Sequence, residues 1–146
     1  MHFKLIKIFL VLLFGLILAG CRSNFNDNSK KVTIDGREFH LEVAKTDQER
    51  EKGLMDRTTL AGDSGMLFLF GQKSIQNFWM KNTLIPLQII FIDECRIVDI
   101  QEMAVEKDPL NPVNRYTSKL PVDKAIELYS GSVPNDLRQT IQELCN

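Results

Sequence analysis

A five-residue stretch, MLFLF at residues 66–70, decides the fold class because it is apolar at every position. Leu87–Ile92 repeats the pattern, with Gln88 as its single polar residue. Short apolar runs of this kind are typical of strands that are covered on both faces. Arg96–Met103 follows after a turn at Glu94-Cys95 and is expected to pair with the second run. The chain is therefore predicted to be mainly β.

A hairpin is predicted ahead of these strands, over Val32–Ala44. Asp35-Gly36 is a strong two-residue turn, because both residues accept positive φ. After the turn, apolar residues alternate with polar ones: Phe39, Leu41 and Val43 with Glu38, His40 and Glu42. This period of two predicts a strand with one solvated face. The three polar side chains could hold a divalent metal, but we favour a solvated outer face.

Two short helices are expected at the periphery of the sheet. Thr46 and Glu49 have the spacing of a capping box, and the helix that they begin should end near Gly53. Lys124–Tyr129 suits either a helix or a strand, and we favour a strand because its apolar run is short. Ser132 is expected to cap a last helix. Its apolar residues follow at helical spacing: Val133, Leu137, Ile141 and Leu144.

The first 20 residues have the layout of a bacterial lipoprotein signal peptide. Lys4 and Lys7 precede an apolar run, Ile8–Leu18, that is too short to be a comfortable membrane span. Leu18-Ala19-Gly20-Cys21 resembles a lipobox. This resemblance implies cleavage before Cys21 and acylation of its thiol, so that labelled palmitate should be incorporated there.

We divide the chain into a lipoprotein signal peptide over residues 1–20, a flexible tether over 21–31 and a single β-rich domain over 32–146. The tether is polar and has little surface to bury. The acyl chains must anchor the domain to the membrane, since the chain has no polybasic patch. Arg22 rather than Asp follows the cysteine, so the periplasmic face of the outer membrane is expected if the host is Gram-negative.

Composition excludes several classes of protein. The 146 residues carry a net charge of −1, and removal of the signal takes away two lysines and no acid. Such a chain lacks the basic footprint of a nucleic-acid-binding protein. His40 is the only histidine outside the signal, so one chain cannot build a multi-histidine zinc site. We find no catalytic motif and expect no metal or other cofactor.

A disulfide is predicted between Cys95 and Cys145, the two thiols that remain once Cys21 is acylated. Export would deliver both to a compartment in which disulfides persist. The alternative is a pair of free cysteines, because Cys145 lies next to the chain terminus.

Three motifs occur together in a fixed order: GLMDR at 53–57, GMLF at 65–68 and FWMKNT at 78–83, which continues as LIPLQIIFID at 84–93. This set resembles the bacterial and archaeal family called domain of unknown function 192, over about residues 32–133. The resemblance implies a compact jelly-roll-like β-sandwich or distorted barrel with short helices outside it, and no established activity. Members usually have an acid in place of Gln88. Many carry two cysteines in the loop that matches Ala104–Arg115, where this chain has none.

A binding site is predicted where FWMKNT meets the residue after the first helix. Its candidate residues are Arg57, Trp79, Lys81, Asn82 and Thr83. Lys81 and Arg57 offer cationic donors to an anionic or polyol ligand, and Trp79 offers a stacking surface. Asn82 tolerates a left-handed backbone turn. The alternative is that Trp79 fills the core while Asn82 and Thr83 shape a corner.

We therefore predict a lipid-anchored envelope protein that serves as a binding or accessory module. Its partner would be an envelope glycan, a small molecule or another protein. One alternative is a hydrolase acting on envelope material through carboxylates such as Asp93, Asp99 and Glu102. Another is a structural lipoprotein that supports an assembly.

Overall fold

The computed structural model describes residues 28–145. Within them the chain forms eight strands in this order: β1 (Ser29–Ile34), β2 (Arg37–Ala44), β3 (Ser64–Ser74), β4 (Asn77–Phe78), β5 (Leu87–Asp93), β6 (Arg96–Met103), β7 (Tyr116–Thr117) and β8 (Val122–Tyr129). Helix α1 (Asp47–Lys52) follows β2, and a single 3₁₀ turn (Gln142–Leu144) lies near the end of the described chain. Among these residues, no helix has the length and hydrophobicity needed to cross a bilayer.

Six of the strands form one sheet in the order β1-β2-β3-β8-β5-β6, and β4 and β7 form a separate two-stranded sheet. Neighbours in the large sheet are antiparallel except for β2 and β3, which run parallel. The two edge strands, β1 and β6, do not pair with each other, so the sheet is not a closed barrel. The fold is mainly β and is a distorted β-sandwich, which confirms the predicted fold class.

The central strands of the large sheet are buried on both faces, and their successive side chains point alternately to the two sides. In β5, Ile90 and Ile92 belong to a core on the first face, and Ile89 and Phe91 belong to a core on the second. The first core also receives Val133, Ile141 and Leu144 from the end of the chain. The second core is covered by Leu54, Met80 and Ile85, which come from the segments between strands.

Four local predictions from the sequence are confirmed: the hairpin turn, the capping box, the end of α1 and one later strand. Asp35 and Gly36 have φ of 49° and 72° and join β1 to β2 in a two-residue hairpin. The backbone N–H of Glu49 donates to the Thr46 hydroxyl at 3.2 Å, and the Glu49 carboxylate accepts from the backbone N–H of Thr46 at 2.8 Å. Gly53 ends α1 with φ of 47°. Lys124–Tyr129 lies within β8, as the strand interpretation expects.

The predicted C-terminal helix is wrong in extent, since only Gln142–Leu144 is helical and as a 3₁₀ turn. The preceding residues run along β6 instead: the Ile97 N–H donates to Gln139 O, and the Ile141 N–H donates to Cys95 O. These long-range hydrogen bonds satisfy the backbone that a helix would have used internally. The apolar spacing indicated burial correctly and the secondary structure incorrectly.

The structure joins Cys95 and Cys145 in a disulfide, with the two Cα atoms 4.9 Å apart. At the other end of the domain, β1 begins at Ser29, so the last residues of the predicted tether are paired in the sheet. The predicted signal peptide, the acylation site Cys21 and the tether up to residue 27 lie outside the described residues.

Candidate functional site

A cleft of about 390 Å³ opens on the second face of the sheet, between α1 and the segment that follows β3. One side of its lining is Arg50, Glu51 and Lys52 of α1. Trp79, Lys81 and Thr83, three of the residues predicted from the sequence, line the other side. The floor holds apolar side chains together with a single buried acid, and its residues are Leu54, Phe68, Phe78 and Glu127.

The acid in the floor is Glu127, which lies in the middle of β8 with 5% of its surface exposed. Its cross-strand neighbours are Met66 on β3 and Ile89 on β5, both apolar. Burial alone raises the pKa of the Glu127 carboxyl to about 8, since no hydrogen bond or charge among the described residues opposes it. At neutral pH this side chain is therefore mostly a protonated, neutral acid without a protein partner in the described part of the chain.

Three phenylalanines that line the cleft, Phe68, Phe70 and Phe78, form a packed apolar cluster, to which Phe91 adds a fourth ring. The ring of Phe78 on β4 lies edge-on to Phe68, Phe70 and Phe91, with centroid distances of 5.1, 6.3 and 5.9 Å. Edge-to-face packing of this kind fixes ring orientations more strongly than apolar burial alone. The short pairing of β4 with β7 holds Phe78 in this position.

Trp79 lies at the mouth of the cleft and is 38% exposed. The Lys81 ammonium is 5.4 Å from its ring centroid, and the Arg115 guanidinium is 5.5 Å away. These are cation–π distances. Among residues 28–145, the Lys81 ammonium lies in no ion pair with a carboxylate. The mouth thus presents an indole and a cation that remains available to a ligand.

Asn82 shapes the turn that presents Lys81 and Thr83, and its side chain does not line the cleft. It has φ of 51°, the left-handed conformation that asparagine tolerates. Its backbone N–H donates to Pro109 O at 2.9 Å, and its carbonyl accepts from the Asp56 N–H at 2.8 Å. These contacts agree with the turn-forming role that the sequence predicted for Asn82.

Arg57 belongs to the neighbouring surface cavity, which holds about 380 Å³ and which Asn28 and Glu42 also line. Its guanidinium donates two hydrogen bonds of 2.7 Å to the Glu42 carboxylate. This hydrogen bonding raises the pKa of Arg57. The backbone contact of Asp56 with Asn82 brings the two predicted segments together, but the Arg57 side chain does not enter the cleft.

The acids considered for a hydrolase are engaged elsewhere. Asp93 pairs with Lys73, Asp99 accepts from Lys119 at 2.7 Å, and Glu102 accepts from Gln88 at 2.6 Å. Asp99 lies opposite Phe91 and Glu102 opposite Gln88, so the two carboxylates are on opposite faces of the sheet. They cannot act together as acid and base in one site.

The polar face of β2 is exposed, as the solvated interpretation expects. Glu38 contacts Lys31 and His40 at 3.0 and 3.1 Å, and Glu42 is held by Arg57. In the described part of the chain, no three His, Cys, Asp or Glu side chains are grouped as a metal site would need.

The sequence predicted helix α1 but not its place beside the cleft, and it did not single out Glu127. Arg50 ties α1 to the sheet, because its guanidinium donates to Leu69 O at 2.7 Å and lies 5.9 Å from the Phe70 centroid. One feature of the sequence could have pointed to Glu127: it is an acid between Ile126 and Leu128, in a strand that has an apolar core on both faces.

The family model DUF192, described as an uncharacterized ACR, matches residues 30–137. A Sinorhizobium meliloti 1021 protein named as a candidate transcription regulator has a similar crystal structure, with 32% identity and a TM-score of 0.63. That match covers 75% of this chain and 90% of the other.

A second crystal structure, of a protein of unknown function from Novosphingobium aromaticivorans DSM 12444, is 34% identical with a TM-score of 0.60. The match covers 70% of this chain and 73% of that one. No curated protein matches the chain.

Proposed function

The chain belongs to the DUF192 family, and we propose that it is a lipid-anchored envelope protein whose domain binds a small polar molecule in the cleft beside α1. Binding rests on the described residues, and anchoring rests on the sequence before them.

The observation that carries the binding function is Glu127 in the floor of the cleft, which has no hydrogen-bond or charge partner among residues 28–145. A buried carboxyl without a hydrogen-bond partner costs stability, and a buried acid with a raised pKa in a cleft is a candidate functional group. Aromatic walls and a few polar groups at the mouth are the usual composition of a small-molecule site. Trp79, Lys81 and Thr83 supply those groups here.

Binding is favoured over hydrolysis because the cleft lacks a second buried acid. The other carboxylates in its lining, Asp47 and Glu51, are on the exposed side of α1, and Asp47 pairs with Arg50. A glycosidase needs two carboxyl groups that face the same bond. A covalent mechanism would need a nucleophile beside a base, and the one hydroxyl in the cleft lining, that of Thr83, donates to the Lys81 carbonyl instead of to a base.

Anchoring is supported by the Leu18–Cys21 block behind an apolar run. The Cys95–Cys145 disulfide agrees with export, since such bonds persist in oxidising compartments. Cells grown with labelled palmitate should label the wild-type chain and leave the Cys21→Ser variant unlabelled. Equal labelling of both chains, or none of the wild type, would contradict the anchor.

The binding function can be tested with the chain's own fluorescence, because Trp79 is its only tryptophan. The full chain, extracted from membranes in detergent, would be denatured and any co-purified small molecule identified by mass spectrometry. The returned molecule should shift Trp79 emission in the refolded wild type and not in Glu127→Leu. Glu38→Gln, a change on the exposed face of β2, serves as the control and should respond like the wild type.

A further inference from the structure

We propose that the ligand of this cleft is a small zwitterion of the amino-acid or short-peptide kind, with its ammonium against Glu127 and its carboxylate against Lys81. The inference rests on the proposed binding function and adds the chemical class of the ligand.

The floor of the cleft favours a cationic group. Glu127 is the one buried acid in the lining, and it lies among apolar side chains that offer its carboxylate no donor. An ammonium would supply both the opposite charge and the hydrogen bonds that a buried carboxylate needs. The rings of Phe68 and Phe78 lie in the same floor, and aromatic faces attract ammonium groups.

The mouth of the cleft favours an anionic group. Lys81 makes no ion pair among the described residues and lies beside Trp79 at the opening. The charged groups that face Glu127 across the cleft are Asp47, Arg50, Glu51 and Lys52 from α1 and Lys81 from the turn. Of these, Asp47 and Arg50 neutralise each other, and Glu51 and Lys52 are adjacent, exposed residues of opposite charge. A simple amine would leave Lys81 unpaired, and a simple acid would leave Glu127 unpaired, whereas a zwitterion satisfies both.

A neutral sugar or polyol is the competing class, and pH separates the two. A hydroxyl would accept a hydrogen bond from protonated Glu127, so its affinity would be constant below pH 8 and would fall above it. An ammonium needs the carboxylate, so Glu127 must release its proton to solvent when the zwitterion binds. Affinity for a zwitterion should therefore rise as the pH increases from 6 to 7.5, by up to about tenfold per pH unit.

Three matched probes test the assignment: the dipeptide Leu-Ala, its N-acetyl form and its C-terminal amide. Trp79 emission and titration calorimetry on the full chain would report affinity, and calorimetry in two buffers would count released protons. We expect Leu-Ala to bind with proton release and the acetylated peptide to bind about tenfold more weakly or worse. The amide should lose the part of the affinity that comes from the contact with Lys81. Glycerophosphoethanolamine also carries an ammonium beside an anion, so comparing its affinity with that of Leu-Ala distinguishes a lipid headgroup from a peptide as the ligand.

Variants assign each end of the ligand. Glu127→Gln keeps the shape of the side chain and should abolish both the pH dependence and the preference for a free ammonium. Lys81→Gln should weaken Leu-Ala and leave its amide unchanged. Glu38→Gln, the same chemical change on the exposed face of β2, should leave both values at those of the wild type.

The outcomes separate this inference from the function on which it rests. Binding of neutral saccharides alone, or affinity for Leu-Ala that does not change between pH 6 and 7.5, overturns the zwitterion and leaves the binding function intact. Failure of every probe and every co-purified molecule to shift Trp79 emission contradicts both. If the Glu127→Gln variant does not fold, the acetylated peptide still tests the contact between the ligand ammonium and Glu127, because it is measured on the wild type.

Discussion

Glu127 makes the stability of the protein depend on pH in a predictable direction. Burial raises the pKa of its carboxyl from 4.5 to about 8, so the folded state holds this proton more tightly than the unfolded chain does. The stabilisation that the folded state gains from holding this proton is fully present below about pH 4.5 and is lost as the pH rises through 8. We expect a loss of up to about 1 kcal/mol per pH unit in the free energy of unfolding.

Urea denaturation at pH 5, 6, 7 and 8 would measure this effect. The Glu127→Gln variant has no proton to lose, so its free energy of unfolding should fall less steeply than that of the wild type. Glu38→Gln should follow the wild-type curve, since the lowered pKa of Glu38 places its titration below this range. Parallel curves for the wild type and Glu127→Gln would contradict the assigned burial.

Individual residues of the cleft were predictable from sequence only where the chain breaks its own pattern. Lys81 and Thr83 interrupt two apolar runs, and this interruption marked them. Glu127 lies between Lys124 and Tyr129 in a segment that suits more than one structure, and the elements that line the cleft with it, α1 and β4, are distant in sequence. The Arg57 side chain lies outside the cleft because Glu42, on β2, binds its guanidinium.

At the level of elements, predictions succeeded where the determinants are local. The capping box and the Asp35-Gly36 turn need only a few neighbouring residues, and both form as expected. The conformation of the segment after β8 depends instead on residues that are distant in sequence. Gln88 on β5 accepts from the Val133 N–H at 3.0 Å and donates to the Val133 carbonyl at 2.8 Å, which holds the chain against the sheet. Nothing near Val133 in the sequence reports this contact.

Helix α1 should be sensitive to its cap, because it is only six residues long and buries none of them. The change Thr46→Ala removes the hydroxyl that accepts from the Glu49 N–H. We expect a loss of about 1 kcal/mol in the free energy of unfolding. Since α1 forms one side of the cleft, ligand affinity should fall as well.

Urea denaturation followed by circular dichroism would measure the stability change, and Trp79 emission would measure affinity. The matched control is Thr59→Ala, in the exposed loop after α1, which should change neither value. Equal stability of the Thr46→Ala variant and the control would show that the cap contributes nothing in this fold.

At the scale of the whole molecule, the end of the chain connects the two edges of the large sheet. Thr140 bridges to Arg96 on β6, one edge strand. Gln139 donates through its side chain to Thr33 O on β1, the other edge strand, and Glu143 accepts from the Thr33 N–H. The segment thus covers the first core and joins edges that do not pair with each other.

The Cys95–Cys145 disulfide fastens this segment, and its loss should destabilise the whole domain. It closes a loop of 50 residues, for which the chain-entropy model gives about 4 kcal/mol as an upper figure. We expect the Cys95→Ser, Cys145→Ser double variant to unfold at a lower urea concentration, with faster hydrogen exchange in β1 and β6. Reductant should destabilise the wild type and leave the double variant unchanged.

The cleft lies on the opposite face of the sheet, so Trp79 emission should not change before unfolding begins. Equal unfolding midpoints for the oxidised wild type and the double variant would show that hydrogen bonds alone hold the segment in place.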